Sequence, residues 1–387
     1  MAKPKTPRKK YDPLPLSEAA LARIERVARQ QHGAAFSRDE LAAAVASISR
    51  VYTRNREGMA DLPAQRSAAL ARIAFFLARD LPKVFGPLDD LRATGWQPPG
   101  ALRVLDVGAG FGAMSLGLAR WLRLRDQPVT SLEVVALEHD GAALRGFAEL
   151  AKSLADLPTE IAPITLRTQA ADLRGARTAG RFDLVLYGFV LNELFLDLGP
   201  DERAARRAEV LTEASAQLAE GGAVIVLEPA LKETARELMH VRDVLAARAS
   251  APYVVAPCLH TGACPMRPSE RDWCHQERAY ALPPALAEVA RGAQLRYEGL
   301  SYASLVLRNT PPAPTSERRV RIVSDRLETK GKLELFGCSE AGYTRLTQLT
   351  RDERDDNHAF TAAVRGDVLA IESDDARIGP TTRVTKR

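Results

Sequence analysis

The 387-residue chain contains one stretch that decides its fold, Val104-Leu105-Asp106-Val107-Gly108-Ala109-Gly110-Phe111-Gly112. An apolar strand leads into a turn with three glycines, and residues 114–124 continue with apolar side chains at helical spacing. Glycine adopts backbone dihedral angles that other residues avoid and lets the chain pass close to a ligand. Dinucleotide-binding turns follow a related pattern, which Gly108-x-Gly110-x-x-Ala113 loosely fits, so the glycines alone leave the ligand open.

Three acidic residues define the ligand more closely. Asp106 lies two residues before the first glycine, where its carboxylate can accept hydrogen bonds from the loop or from a ligand ammonium group, but would repel a pyrophosphate. The next strand ends at Glu138, which is placed to bind both ribose hydroxyls. Asp172 follows the strand after that and can bind an adenine amino group. This order resembles class I S-adenosylmethionine-dependent methyltransferases over about residues 100–230, with Gly108, Gly110 and Gly112 as the cofactor loop.

Short apolar strands alternate with helices around this loop, as in βαβ units that build a parallel sheet. The pattern predicts strands at 102–107, 134–138, 164–169, 182–187 and 223–228, and helices at 114–124, 142–154 and 204–219. Further β segments are predicted at 319–324, 332–336, 343–349 and 367–371. Ser17 and Ser37 are predicted to cap two helices that precede the sheet.

The fold class is therefore α/β: a Rossmann-like methyltransferase sheet with a helical N-terminal domain, a Cys-rich insert and a small, barrel-like C-terminal β module. The expected organisation is a basic flexible arm at 1–12, the helical domain at 13–97, the methyltransferase domain at 98–308 with its insert at 256–276, the β module at 316–372 and a tail at 373–387.

Residues 182–194 are expected to form the fourth strand and the loop in which such enzymes place catalytic residues. Asn192 and Glu193 are the catalytic candidates, because they can orient an acceptor nitrogen, but we favour a role in capping the following helix. The region has no cysteine nucleophile and no Asn-Pro-Pro motif. Catalysis is therefore left open by the sequence.

The chain has only four cysteines, and three of them fall within seventeen residues in the spacing C-x5-C-x9-C. This grouping favours metal ligation over disulfides. Zinc sites prefer paired C-x2–4-C spacing, which is absent, and four thiolates on irregular loops suit an iron–sulfur cluster at least as well. His260 and His275 keep a zinc site with mixed ligands open.

The insert also carries a family resemblance. The motifs Glu228-Pro229, Arg242-Asp243, Ala256-Pro257-Cys258-Leu259-His260 and Asp272-Trp273-Cys274-His275 resemble the mitochondrial and bacterial small-ribosomal-subunit methyltransferase-like family. The resemblance implies S-adenosylmethionine binding, a role on the small ribosomal subunit and its rRNA, and a 4Fe-4S cluster. The cluster ligands that it implies are Cys258, Cys264, Cys274 and Cys338.

The charge of the chain, with 54 Lys and Arg against 49 Asp and Glu, is only slightly basic, but it is concentrated in two places. One is the arm with Lys3, Lys5, Arg8, Lys9 and Lys10, and the other comprises Arg318, Arg319, Arg321, Arg326, Lys330 and Lys332. Such patches suit a nucleic acid, or simply aid solubility. No apolar run is long enough to span a membrane, and the first residues lack a secretory signal, so we expect a cytoplasmic protein.

The preferred function is that of an S-adenosylmethionine-dependent rRNA methyltransferase acting on the small ribosomal subunit. The alternative is a non-catalytic assembly factor that uses the same fold to clamp RNA, and a small-molecule methyltransferase is less favoured. Radical chemistry would need an open iron site, which four protein thiolates do not leave. The sequence indicates neither a target nucleotide nor an oligomeric state.

Overall fold

The computed structural model describes residues 14–33, 35–54, 66–173, 178–248, 250–297 and 299–387. The predicted basic arm at 1–12 lies outside these residues. The N-terminal region is helical and consists of α1 (Glu18–His32), α2 (Arg38–Arg54), α3 (Arg66–Ala71), a π-helical segment (Arg72–Leu77), α4 (Ala78–Asp80), a 3-10 segment (Leu81–Val84) and α5 (Phe85–Ala93). The predicted caps are confirmed, because the Ser17 hydroxyl accepts from Ala20 N and the Ser37 hydroxyl accepts from Glu40 N.

The central sheet confirms the Rossmann-like α/β prediction. Its strands are β1 (Ala101–Val107), β2 (Ser131–Glu138), β3 (Thr165–Ala170), β4 (Phe182–Gly188), β5 (Leu218–Glu228), β6 (Tyr253–Ala256), β7 (Gln276–Arg278) and β8 (Leu300–Arg308). They lie in the order β3-β2-β1-β4-β5-β8-β6, with β7 paired to β8. Strands β1 to β5 pair in parallel, and β8 runs antiparallel to β5, β6 and β7. The associated helices are α6 (Ala113–Leu124), α7 (Gly141–Ala155), α8 (Pro200–Ser215), α9 (Lys232–Ala246) and α10 (Pro284–Gly292).

The strand order reverses between β1 and β4, which creates a crevice at the carboxyl ends of the strands. These ends are level with one another, since Val107 at the end of β1 pairs with Leu137 of β2 and Tyr187 of β4. The end of β4 is in turn level with the end of β5, where Gly188 pairs with Leu227. The loops after four neighbouring strands therefore meet at one edge of the sheet.

The N-terminal helices pack on this sheet rather than apart from it. Phe75 and Phe85 from the helical region belong to the same buried hydrophobic cluster as Trp121 of α6, Phe147 of α7 and Leu184 of β4. Burial of such large aromatic side chains is a main source of stability. The helical region thus shares the core of the sheet, and the domain boundary after residue 97 stays a prediction.

The C-terminal β module is a second sheet with its own buried cluster. It consists of β9 (Arg319–Ile322), β10 (Leu327–Thr329), β11 (Lys332–Ser339), β12 (Gly342–Leu349), α11 (His358–Thr361), β13 (Val368–Ile371), β14 (Arg377–Ile378) and β15 (Val384–Lys386). The strand order is β14-β12-β11-β9-β13-β15, with β10 on β11. The prediction of a tail at 373–387 was wrong, because β14 and β15 belong to the sheet. These strands are short, and each buries one apolar side chain, Ile378 or Val384, so no alternation reveals them.

Among the described helices, none is both long enough and apolar enough to cross a membrane.

Candidate functional site

The glycine loop lies at the end of β1, as predicted. Gly108, Gly110 and Gly112 all have positive φ angles, of 69°, 53° and 84°. The backbone N–H groups of Gly108 and Ala109 donate to the carbonyl oxygen of Leu137, at 2.9 and 3.0 Å, and hold the loop against the end of β2. A Cβ on Gly112 would lie 2.2 Å from the Phe147 ring, so only glycine fits where α6 begins.

Glu138 ends β2 and lies directly beside this loop. One carboxylate oxygen accepts the N–H of Gly110 at 2.9 Å, and the other accepts the N–H of Asp140 at 3.0 Å and contacts His139 Nδ1 at 2.7 Å. The Glu138 side chain is only 7% exposed, whereas that of His139 is 64% exposed. The structure therefore brings the predicted ribose-binding residue and the predicted loop together.

Asp106 is buried under the loop and has an incomplete set of partners. Its Oδ2 accepts the Ser115 hydroxyl at 2.6 Å, but its buried Oδ1 has no hydrogen-bond partner among the described residues. Burial raises the pKa of Asp106 to about 7; the Ser115 hydrogen bonds oppose this shift, and the charge of Glu138 adds to it. An unpartnered carboxylate oxygen in this position suits a cationic donor from a ligand. Ser115 was missed from the sequence, since a serine inside a helix carries no signal of its own.

Asp172 lies in the loop after β3, at the same edge of the sheet. Its side chain is exposed. The preceding residue, Ala171, donates its N–H to the carbonyl of Glu138 at 3.1 Å. The following residue, Leu173, lies 3.2 Å from where a Cβ on Gly108 would stand. The loop therefore borders the glycine turn, while the binding role of Asp172 stays a prediction.

Asn192 and Glu193 lie in a 3-10 turn, Leu191–Glu193, after β4. Asn192 is buried and donates to Glu228 twice, from its backbone N at 3.1 Å and from Nδ2 at 2.6 Å, while Glu193 is exposed. The prediction that they cap the next helix was wrong, because α8 begins at Pro200 after Gly199. The physical reason is the buried carboxyl of Glu228, which takes the hydrogen bonds of Asn192.

Glu228, at the end of β5, was not predicted as a site residue. Burial raises the pKa of its carboxyl to about 8, although hydrogen bonds from Asn192 and the charge of Arg207 oppose the shift. Arg207 is also buried and donates to the Asn192 carbonyl at 2.8 Å. Phe189, between β4 and this turn, has a φ of 62°, which is unfavourable for a bulky side chain. An acid at the end of a strand, as at Glu138, was the available signal.

The four cysteines come together from two parts of the chain. Cys258, Cys264 and Cys274 lie between β6 and β7, Cys338 lies on β11, and all four are free thiols. Cys264 and Cys338 are buried in one small cluster against which Cys274 packs. Burial raises the pKa of the Cys274 thiol, and the other three cysteines raise it further. Within the described ranges, however, no group of three or more His, Cys, Asp or Glu side chains has the arrangement of a metal site.

Buried cations surround these thiols. Burial lowers the pKa of Arg242, but Cys258 and Asp243 beside it raise the pKa by more. Arg321 is the cross-strand partner of Cys338 and pairs with Asp90 of α5 at 3.0 Å. The Nε atoms of both arginines are buried without a hydrogen-bond partner in the described part of the chain.

The two candidate histidines differ in their surroundings. His260 Nε2 is buried and has no hydrogen-bond partner among the described residues. The ring of His275 stacks on Trp273, and its nitrogens lie 3.2 Å from the Trp273 carbonyl and 3.3 Å from Glu277. His275 is therefore held by protein groups, and of the two only His260 has a ring nitrogen left over.

A cleft of about 2300 Å³ is lined by residues of the helical region, of β6 to β8 and of the β module. Four of the six residues in the predicted basic cluster line it, namely Arg318, Arg319, Arg321 and Arg326, together with the basic residues Arg278, Arg296 and Arg308. Lys332 instead pairs with Glu334 at 3.0 Å. The buried Nε of Arg319 has no hydrogen-bond partner in the described ranges.

The chain matches the family described as mitochondrial small ribosomal subunit Rsm22 over residues 89–369. None of the curated proteins matches it. The cytoplasmic location stays a prediction, because the matched family is described as mitochondrial.

Several solved structures are similar to this chain. N-methyltransferase NodS from Bradyrhizobium japonicum, in complex with S-adenosyl-L-homocysteine, has 13% identity and a TM-score of 0.31, over 59% of this chain and 86% of its own. Phosphoethanolamine N-methyltransferase 1 from Haemonchus contortus has 16% identity and a TM-score of 0.27, over 48% and 32%. The YcgJ protein from Bacillus subtilis has 13% identity and a TM-score of 0.25, over 38% and 50%. The chain thus spans half or less of the last two proteins.

Proposed function

This chain belongs to the mitochondrial small ribosomal subunit Rsm22 family, and we propose on that basis that it binds S-adenosylmethionine and acts as a methyltransferase-like factor on the rRNA of the small ribosomal subunit. The observation that carries the cofactor proposal is the pair of buried carboxylates, Asp106 and Glu138, at the glycine loop. The fold offers a crevice at the switch of strand order, where such sheets bind their ligands.

Each acid matches one polar part of the cofactor. Oδ1 of Asp106, which has no partner among the described residues, accepts from the ammonium group, and the ionised form of Asp106 compensates the positive charge of that group. Glu138 accepts from the ribose hydroxyls. A carboxylate has about four acceptor positions, and the exposed His139 ring can be displaced from one of them by a hydroxyl. Asp172 is the candidate for the adenine amino group.

Calorimetry with S-adenosylhomocysteine tests the cofactor proposal. Glu138→Ala removes the acceptor of the ribose hydroxyls and is expected to weaken binding by about 1.5–3 kcal/mol, roughly 10- to 150-fold. Glu133→Ala, on the same strand but paired with Arg103 outside the loop, is the matched control and leaves binding unchanged. A folded wild-type protein that does not bind S-adenosylhomocysteine would refute the proposal, and tighter binding of NAD would favour a dinucleotide site.

The proposal includes a 4Fe-4S cluster on Cys258, Cys264, Cys274 and Cys338, with zinc as the alternative. The surroundings fit a negatively charged group, because Arg242 and Arg321 each have a buried Nε–H beside the thiols that finds no partner among the described residues. Bound there, the cluster supplies a covalent cross-link between the insert and the β module. Cluster binding would then stabilise the folded state, as for other metal sites that join distant chain segments.

Iron and sulfide analysis of protein purified without oxygen tests the cluster. We expect about four irons per chain. Cys338→Ser is expected to lose iron and to lower the unfolding temperature, whereas Ser339→Ala, the next residue on β11, keeps both. Stoichiometric zinc without iron would replace the cluster by a structural zinc site, and protein with neither metal would refute both.

The cleft supports the RNA part of the proposal, because its basic residues suit the phosphates of a polynucleotide. Replacing Arg296 and Arg319 by Gln should weaken binding to small-subunit rRNA and reduce the slope of log affinity against log salt, by about 0.7 for each phosphate of a single strand that is no longer bound. Arg123→Gln, on α6 outside the cleft, is the control. Wild-type protein that ignores rRNA at low salt and sediments only as free protein would refute a ribosomal role and favour a small-molecule methyltransferase.

One observation favours the non-catalytic alternative, an assembly factor. The side-chain amide of Asn192 uses its two N–H groups inside the protein, on Glu228 at 2.6 Å and on the Phe189 carbonyl at 3.1 Å. It therefore has no donor left for an acceptor base in this conformation. Transfer of a labelled methyl group to small-subunit RNA by the wild-type protein would refute this alternative. RNA binding without transfer, and an unmodified rRNA profile in cells, would support it.

A further inference from the structure

Arg72 projects from the helical region onto the cofactor loop. It begins the π-helical segment Arg72–Leu77, and such segments are frequent at functional sites because the extra residue in a turn redirects side chains. The guanidinium carbon lies 4.9 Å from the centre of the Phe111 ring. One guanidinium nitrogen lies 3.4 Å from the position that a Cβ on Gly110 would take. The cation is therefore stacked over the glycine turn itself.

The guanidinium has donors to spare in this position. Among the described residues it pairs with the carboxylate of Asp140, and the Nη1–Oδ2 distance of 3.7 Å exceeds a hydrogen bond. Asp140 is fixed in place through its other oxygen, Oδ1, which accepts the N–H groups of Ala142 and Ala143 at the start of α7. The Arg72 side chain is only 21% exposed, so water replaces the missing partners poorly.

We propose that Arg72 binds the carboxylate of the amino-acid part of S-adenosylmethionine. This inference rests on the proposed binding of that cofactor. The ammonium and carboxylate groups of the cofactor share one carbon atom, so they must lie side by side. Asp106, two residues before the glycine turn, is suited to the ammonium group, and Arg72, packed on Phe111 and Gly110 of the same turn, offers the opposite charge. A guanidinium also matches the two oxygens of a carboxylate in geometry, which a lysine would not.

The assignment gives the helical region a role in the cofactor site. Arg72 belongs to the run of helices before the sheet, and this run shares the hydrophobic core of the sheet. Without ligand, Arg72 stays near Asp140; with ligand, the carboxylate provides the closer anionic partner. Arg72 therefore distinguishes ligands that carry an amino-acid carboxylate from those that do not.

Two ligands that differ in this group test the inference, S-adenosylhomocysteine and 5′-methylthioadenosine, which lacks the amino-acid part. Arg72→Gln is expected to weaken S-adenosylhomocysteine binding about 10- to 100-fold and to leave 5′-methylthioadenosine binding unchanged. Arg72→Lys is expected to retain part of the affinity, because lysine keeps the positive charge but cannot donate two parallel hydrogen bonds to a carboxylate. Arg92→Gln removes an exposed positive charge from the same run of helices, in α5, and is the matched control. Thermal unfolding confirms that each variant is folded.

The outcomes separate this inference from the function on which it rests. A wild-type protein that binds neither ligand overturns the cofactor proposal, and the inference with it. If the wild type binds S-adenosylhomocysteine and Arg72→Gln binds it equally well, the inference alone is wrong. An equal loss for both ligands also overturns the inference, because Arg72 would then only support the shape of the loop.

Discussion

The buried carboxyl of Asp106 predicts that cofactor binding releases a proton near neutral pH. In the free protein, burial raises the pKa of this group to about 7, so roughly half of the molecules carry it protonated at that pH. A bound ammonium group stabilises the ionised form and lowers the pKa. The protein must therefore lose the proton before or during binding, and affinity depends on pH.

The size of the effect follows from the pKa. Below pH 7 the ionised fraction falls about tenfold per pH unit, so the affinity for S-adenosylhomocysteine should be roughly tenfold weaker at pH 6 than at pH 8. Above pH 8 the ionisation of Asp106 should no longer change this affinity. Asp106→Asn cannot titrate, so this step in the pH profile should disappear, and its affinity at pH 8 should be lower than that of the wild type.

Calorimetry at pH 6, 7 and 8 in two buffers with different enthalpies of ionisation measures both quantities. The difference between buffers gives the number of protons released, which we expect to be largest near pH 6 and to vanish above pH 8. An affinity that is constant between pH 6 and pH 8, with no proton release, would refute the assignment of Asp106 to the ammonium group.

The same group determines how stability of the ligand-free protein depends on pH. The pKa of Asp106 is raised on folding, so the folded state binds the proton more tightly than the unfolded state. Stability should therefore fall as pH rises from about 4 to about 7, by at most about 1.4 kcal/mol per pH unit from this group. Asp106→Asn removes this dependence and should stabilise the ligand-free protein at pH 8, as thermal unfolding can show.

Two further substitutions test the loops around the site. Asn192→Ala leaves the buried carboxyl of Glu228 without its side-chain donor and should cost about 1–3 kcal/mol, measured by denaturant unfolding; an unchanged stability would contradict the role of Asn192 as the partner of Glu228. Gly112→Ala should destabilise the protein more than Gly95→Ala, because both have positive φ but only at Gly112 would the new Cβ meet a neighbour, Phe147. If both substitutions lowered the stability equally, the strain of a positive φ angle, and not the contact with Phe147, would account for the loss.

The central part of the fold could be predicted from the sequence because its signals are local. Each parallel strand is a short apolar run, and the glycine turn after β1 directly specifies positive φ angles. The C-terminal strands β14 and β15 could not be predicted in this way. Each holds its place in the sheet by pairing with a strand that is not its neighbour in sequence, β12 for β14 and β13 for β15, and through one buried side chain, Ile378 or Val384. Neither condition leaves a pattern in the sequence.

The residues of the candidate site also differ in whether a local sequence pattern reveals them. Asp106 and Glu138 are recognisable because they stand at fixed positions relative to the glycine turn. Arg72 is not, since it lies in a helix of the preceding region and reaches the loop only through tertiary packing. Asn192 lies in the expected loop after β4, but its assignment as a helix cap was wrong, because its partner Glu228 is 36 positions away and is brought to it by the pairing of β4 with β5.

The two carboxyl groups with raised pKa values give an independent argument that this edge of the sheet is a site. Asp106 lies near the carboxyl end of β1 and Glu228 ends β5, and β4 lies between these strands. Burial disfavours the ionised form of both, so each makes folding less favourable near neutral pH than a neutral side chain of the same shape would. Structural acids are usually paired with cations, yet the partner of Asp106 is a hydroxyl, and one of its oxygens has none among the described residues. The proposed binding of the cofactor would explain this arrangement, because its ammonium group would supply the charge that the described residues leave out.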